Sequence, residues 1–585
     1  MNADRLLAFY ERVAEAPDAI ARLRRFVLDL AVRGKLVAQD PTDEPASELL
    51  KRIVTEKARL VKMVEIRKPR DLGSEEEIGP PFDIPVSWRW CRLDNIGAIT
   101  GGGTPSAGDP ENFAEPGNGI PWLTPADLGS CRNLFVGRGA RDLTKKGLNS
   151  SSATMMPAGT VLFTSRAPIG YVAIAANPIS TNQGFKSIVP YVTDCSHFIA
   201  LVMRTFEPEI NAKAPGTTFK EVSGKIVAGV PFPLPPLREQ RRIVATVEEL
   251  MALLARLKAA RTMREAARDC LTAASLSRLT APDADPADFP DNARFTLATL
   301  TALTARPDQI KPLRQTILNL AVRGKLVEQD PADEPASELF KRLKKAQIAA
   351  IASEGIRARP PIAKLSRANM WFEFPESWVL PSFDEIFVIV SGVTKGQKIS
   401  PSEAVDVPYL RVANVQRGHL DLSVIKSITV RKADEERYAL RLGDILMTEG
   451  GDWDKLGRAA IWHEEISGCI HQNHIFRVRT PSSDVSPEWV TTYVNSLLGR
   501  AFFEDASKQT TSLASINMTQ LRGCPIPLPP LAEQHRIVAK VDALMALCDR
   551  LEAALAQADT TRARLLEALL HEALLSGRNG GQFTA

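Results

Sequence analysis

Pro233-Leu234-Pro235-Pro236-Leu237-Arg238-Glu239-Gln240-Arg241-Arg242-Ile243-Val244 returns 294 positions later as Pro527-Leu528-Pro529-Pro530-Leu531-Ala532-Glu533-Gln534-His535-Arg536-Ile537-Val538. A proline run holds the chain extended and disfavours helix in the residue before each ring, so a helix begins only after Pro236 and after Pro530. Beyond those points apolar residues recur in alternating steps of four and three. The first series is Ile243, Val247, Leu250, Leu254 and Leu257. The second is Ile537, Val541, Leu544, Cys548, Leu551, Leu555 and Ala558, with Leu565 and Leu569 in phase beyond. This is the seam of a coiled coil. Helices of about 40 residues make rods of roughly 60 Å. Such rods need a partner along their length, and the other copy is the nearest candidate.

A second block repeats ahead of each variable stretch. Leu30-Ala31-Val32-Arg33-Gly34-Lys35-Leu36-Val37 matches Leu320-Ala321-Val322-Arg323-Gly324-Lys325-Leu326-Val327, and Asp43-Glu44-Pro45-Ala46-Ser47-Glu48-Leu49 matches Asp333-Glu334-Pro335-Ala336-Ser337-Glu338-Leu339, both at an offset of 290. The same offset relates Pro85, Ser87 and Trp88 to Pro375, Ser377 and Trp378. It grows by four inside the roughly 150 residues that follow, so a duplicated framework carries two unlike modules.

The predicted division is a helical framework block at 1–62, a linker at 63–80, a first α+β module at 81–236, a spacer helix at 237–279 and a linker at 280–306. The pattern then repeats, with a helical framework block at 307–352, a linker at 353–370, a second module at 371–530, a second spacer helix at 531–576 and a mobile tail at 577–585. Frequent Gly and Pro around short runs such as Thr160-Val161-Leu162-Phe163 mark the modules as strand-rich.

With 585 residues, 44% of them apolar, the chain can bury several cores. No apolar run reaches membrane-spanning length and the N-terminus has no signal-peptide pattern, so a soluble cytoplasmic protein is expected. Seven scattered cysteines, an odd number without closely spaced pairs, read as reduced and mostly buried thiols. Net charge is +4. Segment 81–236 carries about +2 and segment 371–530 about −4, which leaves about +6 on the rest. Total charge does not announce a nucleic-acid binder; any DNA surface requires basic residues gathered on one face.

Taken together, the two LPPL(R/A)EQ openings, the LAVRGKLV and DEPASEL blocks and the unlike modules between them resemble the specificity subunits of type I restriction-modification systems. The resemblance covers nearly the whole chain. It implies an α+β fold with two target-recognition domains joined by long helices that form an antiparallel coiled-coil spacer, in a pseudo-two-fold internal repeat. The implied function is recognition of an asymmetric, bipartite site in double-stranded DNA, with the gap between half-sites set by the rods. Implied partners are two modification (methyltransferase) subunits, which hold S-adenosylmethionine, and two restriction subunits, which hold ATP and Mg. No cofactor is expected in this chain. A non-catalytic helical scaffold whose modules bind proteins or other ligands is the alternative.

Because Arg and Lys suit guanine edges or phosphates and Asn and Gln suit adenine, loop-borne residues of these types are the candidate DNA contacts. They are Arg166, Asn182, Gln183, Lys186 and Lys220 in the first module, and Arg411, Asn414, Lys455, Arg458, Gln472, Asn473 and Lys508 in the second. Trp88 and Trp378 hold matching positions and cannot distinguish unlike half-sites, so they are expected to fix each module to its helices. Glu239-Gln240 and Glu533-Gln534 read as first-turn helix residues or as docking contacts for a partner.

No chemistry of its own is expected. Gly79-Pro80-Pro81-Phe82 lacks the side-chain acceptor with which an adenine methyltransferase motif begins, and no phosphate-binding G-x-x-x-x-G-K-[ST] sequence is present. Gly101-Gly102-Gly103 reads as a flexible turn. His471 and His474 sit three apart, but the matching phrase of the first module, Ser180-Thr181-Asn182-Gln183-Gly184-Phe185-Lys186, has no histidine. A shared structural turn accounts for both phrases better than a metal site.

Overall fold

The computed structural model describes residues 8, 10–11, 13–63, 81–130, 133–166, 168–216, 220–281, 286–356, 359–362, 370–396, 398–451, 455–510 and 513–575. Most of the expected linker at 63–80 and the expected tail at 577–585 lie outside these residues, as do Cys131, Gly79 and Pro80. The chain forms two compact units. One combines the residues up to Met263 with those from Asp559 onward; the other runs from Arg264 to Ala558.

Each LPPL phrase opens a long helix, Leu237–Thr280 of 44 residues and Leu531–Leu575 of 45 residues. The first starts in unit 1 and finishes in unit 2, and the second does the reverse. Each unit thus contains the opening of one rod and the close of the other, the exchange that an antiparallel spacer requires. In unit 1, Ile243, Val247, Leu250 and Leu254 share one core with Leu566, against which Leu569, Leu570 and Leu574 pack.

The seam departs from the expected phase at one place. Leu565 is exposed and Leu566 carries the burial. A helix with 3.6 residues per turn drifts about 20° per heptad from a strict seven-residue repeat. Over the roughly four heptads that follow Ile537 this drift brings Leu566, and not Leu565, onto the buried side. Past Leu257 the first helix buries Leu276 and Leu279 and also makes polar contacts that the apolar series does not reveal. Arg261 donates to the carbonyls of Ala14 and Ala16 in unit 1, and in unit 2 Glu265 and Asp269 receive Arg306 at 2.8 and 2.6 Å.

The first module is built on a five-stranded sheet in the order Gly97–Gly101, Lys186–Pro190, Val161–Phe163, Val172–Ala175, Phe135–Val136. The second has a four-stranded sheet in the order Val388–Ser391, Ile475–Arg479, Ile445–Thr448, Ala459–Ile461. Its four strands match the first four of module 1 in order and in antiparallel sense. A second small sheet in each module ends on a parallel pair, Trp122 with Ser180 and Leu123 with Thr181 in one, Tyr409 with Ile470 and Leu410 with His471 in the other. Two modules with little common sequence are therefore one α+β design.

The framework blocks hold the modules through an identical joint. Helix Ala19–Val32 ends at Gly34, with φ 65°, where a Cβ would lie 2.4 Å from Pro85 Cγ. Helix Ile310–Val322 ends at Gly324, with φ 66°, where a Cβ would lie 2.4 Å from Pro375 Cγ. Glycine is required there both by the left-handed backbone and by the approach of the proline. Each buried indole then donates to the carboxylate that opens the long helix. Trp88 Nε1 reaches Glu239 Oε2 and Trp378 Nε1 reaches Glu533 Oε2, both at 3.0 Å. Gln39 and Gln329 donate to the other oxygens, and in turn accept from Ser87 and Ser377. Arg242 and Arg536 reach back to Asp43 and Asp333 at 2.8 and 2.7 Å.

Glu239, Gln240, Glu533 and Gln534 are all about 1% exposed or less. They are interior joint residues, which removes the reading of them as docking contacts. The two tryptophans do fix modules to helices. Of the cysteines, Cys91, Cys195, Cys469, Cys524 and Cys548 are buried free thiols and Cys270 is exposed. No described helix is long and apolar enough to cross a membrane.

Candidate DNA interface

Three loop segments meet beyond the end of a central strand of the main sheet in each module, held by the same backbone hydrogen bonds. In module 1, Ser165 N donates to Gly184 O at 2.7 Å and Val222 N donates to Ser165 O at 2.9 Å. In module 2, Glu449 N donates to His474 O at 3.0 Å and Ile516 N donates to Glu449 O at 2.9 Å. The loop after the central strand is closed by a threonine both times: Thr164 Oγ1 donates to Pro168 O and Thr448 Oγ1 to Lys455 O.

The expectation of a flexible triple glycine is corrected here. A Cβ on Gly102 would lie 1.9 Å from Asn182 O, and one on Gly103 would lie 2.2 Å from Ala153 N. Gly102 and Gly103 are packed rather than free, the first against Thr181 and Asn182 and the second against Ser152 and Ala153, whereas Gly101 meets nothing within 4 Å. Gly392 plays the same part in module 2, with a Cβ position 2.0 Å from His471 O.

The predicted contacts of module 1 gather at this junction. Arg166 lies on the first segment, Asn182, Gln183 and Lys186 on the second and Lys220 on the third. Arg166 and Lys186 each approach the Glu221 carboxylate at 3.5 Å. Asn182 Oδ1 accepts from Gly184 N at 2.8 Å and so shapes its own turn, while exposed Gln183 accepts from the Thr104 hydroxyl. Lys220 is exposed.

In module 2 the predicted residues divide between two places. Lys455, Arg458, Gln472 and Asn473 lie on the junction segments, with Arg458 Nη1 donating to Gln416 Oε1 at 2.7 Å. Arg411 and Asn414 lie on a separate loop, where both donate to Val424 O at 3.1 Å. Asn414 is 2% exposed, and its amide is spent within the loop on Arg411 N, Asp421 O and Val424 O. The side chain of Lys508 lies outside the described residues; its backbone pairs with Ser515.

The histidine pair separates in the structure. His471 is fully buried, with Nδ1 3.3 Å from Tyr438 O, and burial together with the nearby Arg477 pushes its pKa down to about 3. His474 is exposed and faces the Glu449 carboxylate at 2.5 Å. No group of three metal-ligating side chains occurs among the described residues. Phe82 of the Gly79-Pro80-Pro81-Phe82 phrase lies under the Arg33 guanidinium at 4.3 Å and against Trp90, a packing role.

Comparison with known proteins bears on what these modules are. The model of the type I restriction modification DNA specificity domain matches twice, over residues 85–262 and 375–558. The specificity subunit of the type I restriction enzyme EcoEI of Escherichia coli is 30% identical over 579 residues, covering 95% of this chain and 94% of that protein. This chain belongs to the type I restriction-modification specificity subunits. The EcoAI specificity subunit of Escherichia coli is likewise 30% identical, over 95% of this chain and 94% of its own length. The crystal structure of the HsdS subunit from Thermoanaerobacter tengcongensis covers 85% of this chain at 20% identity with a TM-score of 0.41.

Each family-model match starts at the proline that packs on the framework glycine, Pro85 or Pro375, and runs into the long helix. Within a specificity subunit the junction residues that sequence reasoning missed are Glu221 and Glu449, and it weighed the unburied His474 only as a metal ligand. Two offsets carry the signal for them. Asn182 and Gln472 still differ by 290, whereas Val222 and Ile516 differ by 294, so the equivalent segments are marked on both sides of the insertion.

Proposed function

We propose that the chain reads an asymmetric, bipartite site in double-stranded DNA, one half-site per module, and performs no chemistry itself. The observation that carries this reading is one hydrogen-bonded junction in both modules bearing unlike side chains: Arg166, Lys186 and Glu221 in one, Glu449 and His474 in the other. A constant scaffold with variable polar groups presents different donor and acceptor patterns to two half-sites. The framework docks two methyltransferase subunits, which supply S-adenosylmethionine, and two restriction subunits, which supply ATP and Mg. The complex acts in the cytoplasm.

The test is binding of duplexes by this chain with its modification subunit. Arg166→Ala is expected to weaken specific binding by about 1–3 kcal/mol, the range for one good base contact, and to relax preference in one half-site alone. Survival of both affinity and sequence preference would remove Arg166 from the interface.

A further inference from the structure

Both junctions place a carboxylate among donors on a surface meant for a polyanion. Glu221 lies between Arg166 and Lys186, at 3.5 Å from each, with its side chain 44% exposed. Glu449 sits against His474 at 2.5 Å and is 31% exposed. The two acids come from different segments. Glu221 belongs to the third segment, where module 2 has Ser515; Glu449 belongs to the first, where module 1 has Ser165. A carboxylate thus recurs at the junction although no single position specifies it.

Facing DNA, such a group repels phosphates and lowers indiscriminate affinity. It is useful only where a base edge offers a donor. In the major groove the donors are the cytosine N4 and adenine N6 amino groups. The adenine amino group adjoins the N7 acceptor, which a second carboxylate oxygen meets unfavourably. Cytosine has no such neighbour, and the guanine across the pair presents O6 and N7 to cations. A carboxylate beside a positive donor is therefore complementary to a whole C·G pair.

We infer that Glu221 with Arg166 and Lys186, and Glu449 with His474, are specificity-determining groups that each read a C·G pair, one in each half-site, the carboxylate accepting from cytosine N4. This rests on the DNA-reading assignment above. The carboxylates accept from cytosine N4; Arg166 and Lys186 meet the guanine across the pair in the first module, and His474 holds Glu449 in place in the second.

The experiment uses the full chain with its modification subunit, reads the methylated motif, and measures binding to specific and scrambled duplexes for the wild type, Glu221→Gln and Glu449→Gln. Glutamine keeps the size of the side chain and removes the charge. Each variant is expected to relax one C·G position in one half-site by about tenfold in the specific-to-scrambled ratio, to leave the other half-site intact, and to raise affinity for scrambled DNA. An unchanged motif and ratio in both variants, with a bipartite wild-type motif, overturns the inference alone. A uniform loss of affinity without a change of preference also overturns it, since that is the signature of a merely structural role. A wild-type complex with no bipartite preference overturns the function reading together with the inference.

Discussion

Trp88→Ala is expected to lower the stability of unit 1 by about 3–5 kcal/mol, the range for truncating a buried aromatic side chain. Trp88 is 1% exposed and packs edge-on to Phe198 at 6.1 Å. Its loss removes that packing and also the donor to Glu239. Trp88→Phe separates the two effects, because the ring is largely kept while the carboxylate loses its 3.0 Å partner.

The pH dependence of that milder variant has a definite sign. Burial already holds the Glu239 carboxyl above its ordinary range, opposed by hydrogen bonds from Trp88 and Gln39. A carboxyl with a raised folded pKa binds more protons in the folded than in the unfolded state, so stability falls as pH rises from the unfolded value through the folded one. Removing one of the opposing bonds raises the folded value further. Trp88→Phe is therefore expected to be more destabilising at pH 7 than near pH 4.5, and Trp378→Phe to do the same in unit 2, where Glu533 is held up in the same way. Hydrogen exchange of the framework helices, followed unit by unit, reads both results. A pH-independent effect would mean that the indole contributes packing alone.

The second large effect lies in unit 2. Arg477 and Arg479, 2% and 12% exposed, converge on Glu354 at 3.2 and 2.9 Å, and Arg479 also pairs with buried Asp444 at 2.6 Å. Glu354 directly follows helix Ala336–Ser353 of the framework, whereas both arginines stand on strand Ile475–Arg479. Glu354→Ala leaves adjacent guanidiniums facing each other with one carboxylate between them. Breaking a buried ion pair from one side costs about 3–5 kcal/mol. Solvent reaches part of Glu354, so the lower end of that range is expected. Limited proteolysis should then open the second module's sheet first, while unit 1 keeps its protection.

The duplication, the long helices and the framework joint were legible in the sequence because their parts are side chains that must recur together. Trp88, Glu239, Gly34 and Pro85 form one contact set, and all four reappear in the second copy. The likeness of the two modules was legible only in their strand-rich composition and in the matched phrases at Asn182 and Gln472. The rest resides in strand order and in bonds such as Ser165 N to Gly184 O, which backbone atoms make whatever the side chains are. The phase at the end of the second rod was not legible, because a strict seven-residue repeat drifts from a helix of 3.6 residues per turn, which puts Leu566 and not Leu565 on the buried side.

Candidate contacts were legible as residue types, but their grouping needed the fold. Arg166, Lys186 and Glu221 are far apart in the chain and adjacent only at the junction. Asn414 carried the same type signal as Asn182, yet its amide is consumed by the loop it closes.

The most direct test is single-molecule sequencing of DNA from cells that express this chain with its modification subunit, set against cells that express the modification subunit alone. An N6-methyladenine motif made of two unlike half-sites and an unread gap, present only with this chain, is the predicted result. An active modification subunit that yields no chain-dependent motif would contradict the account.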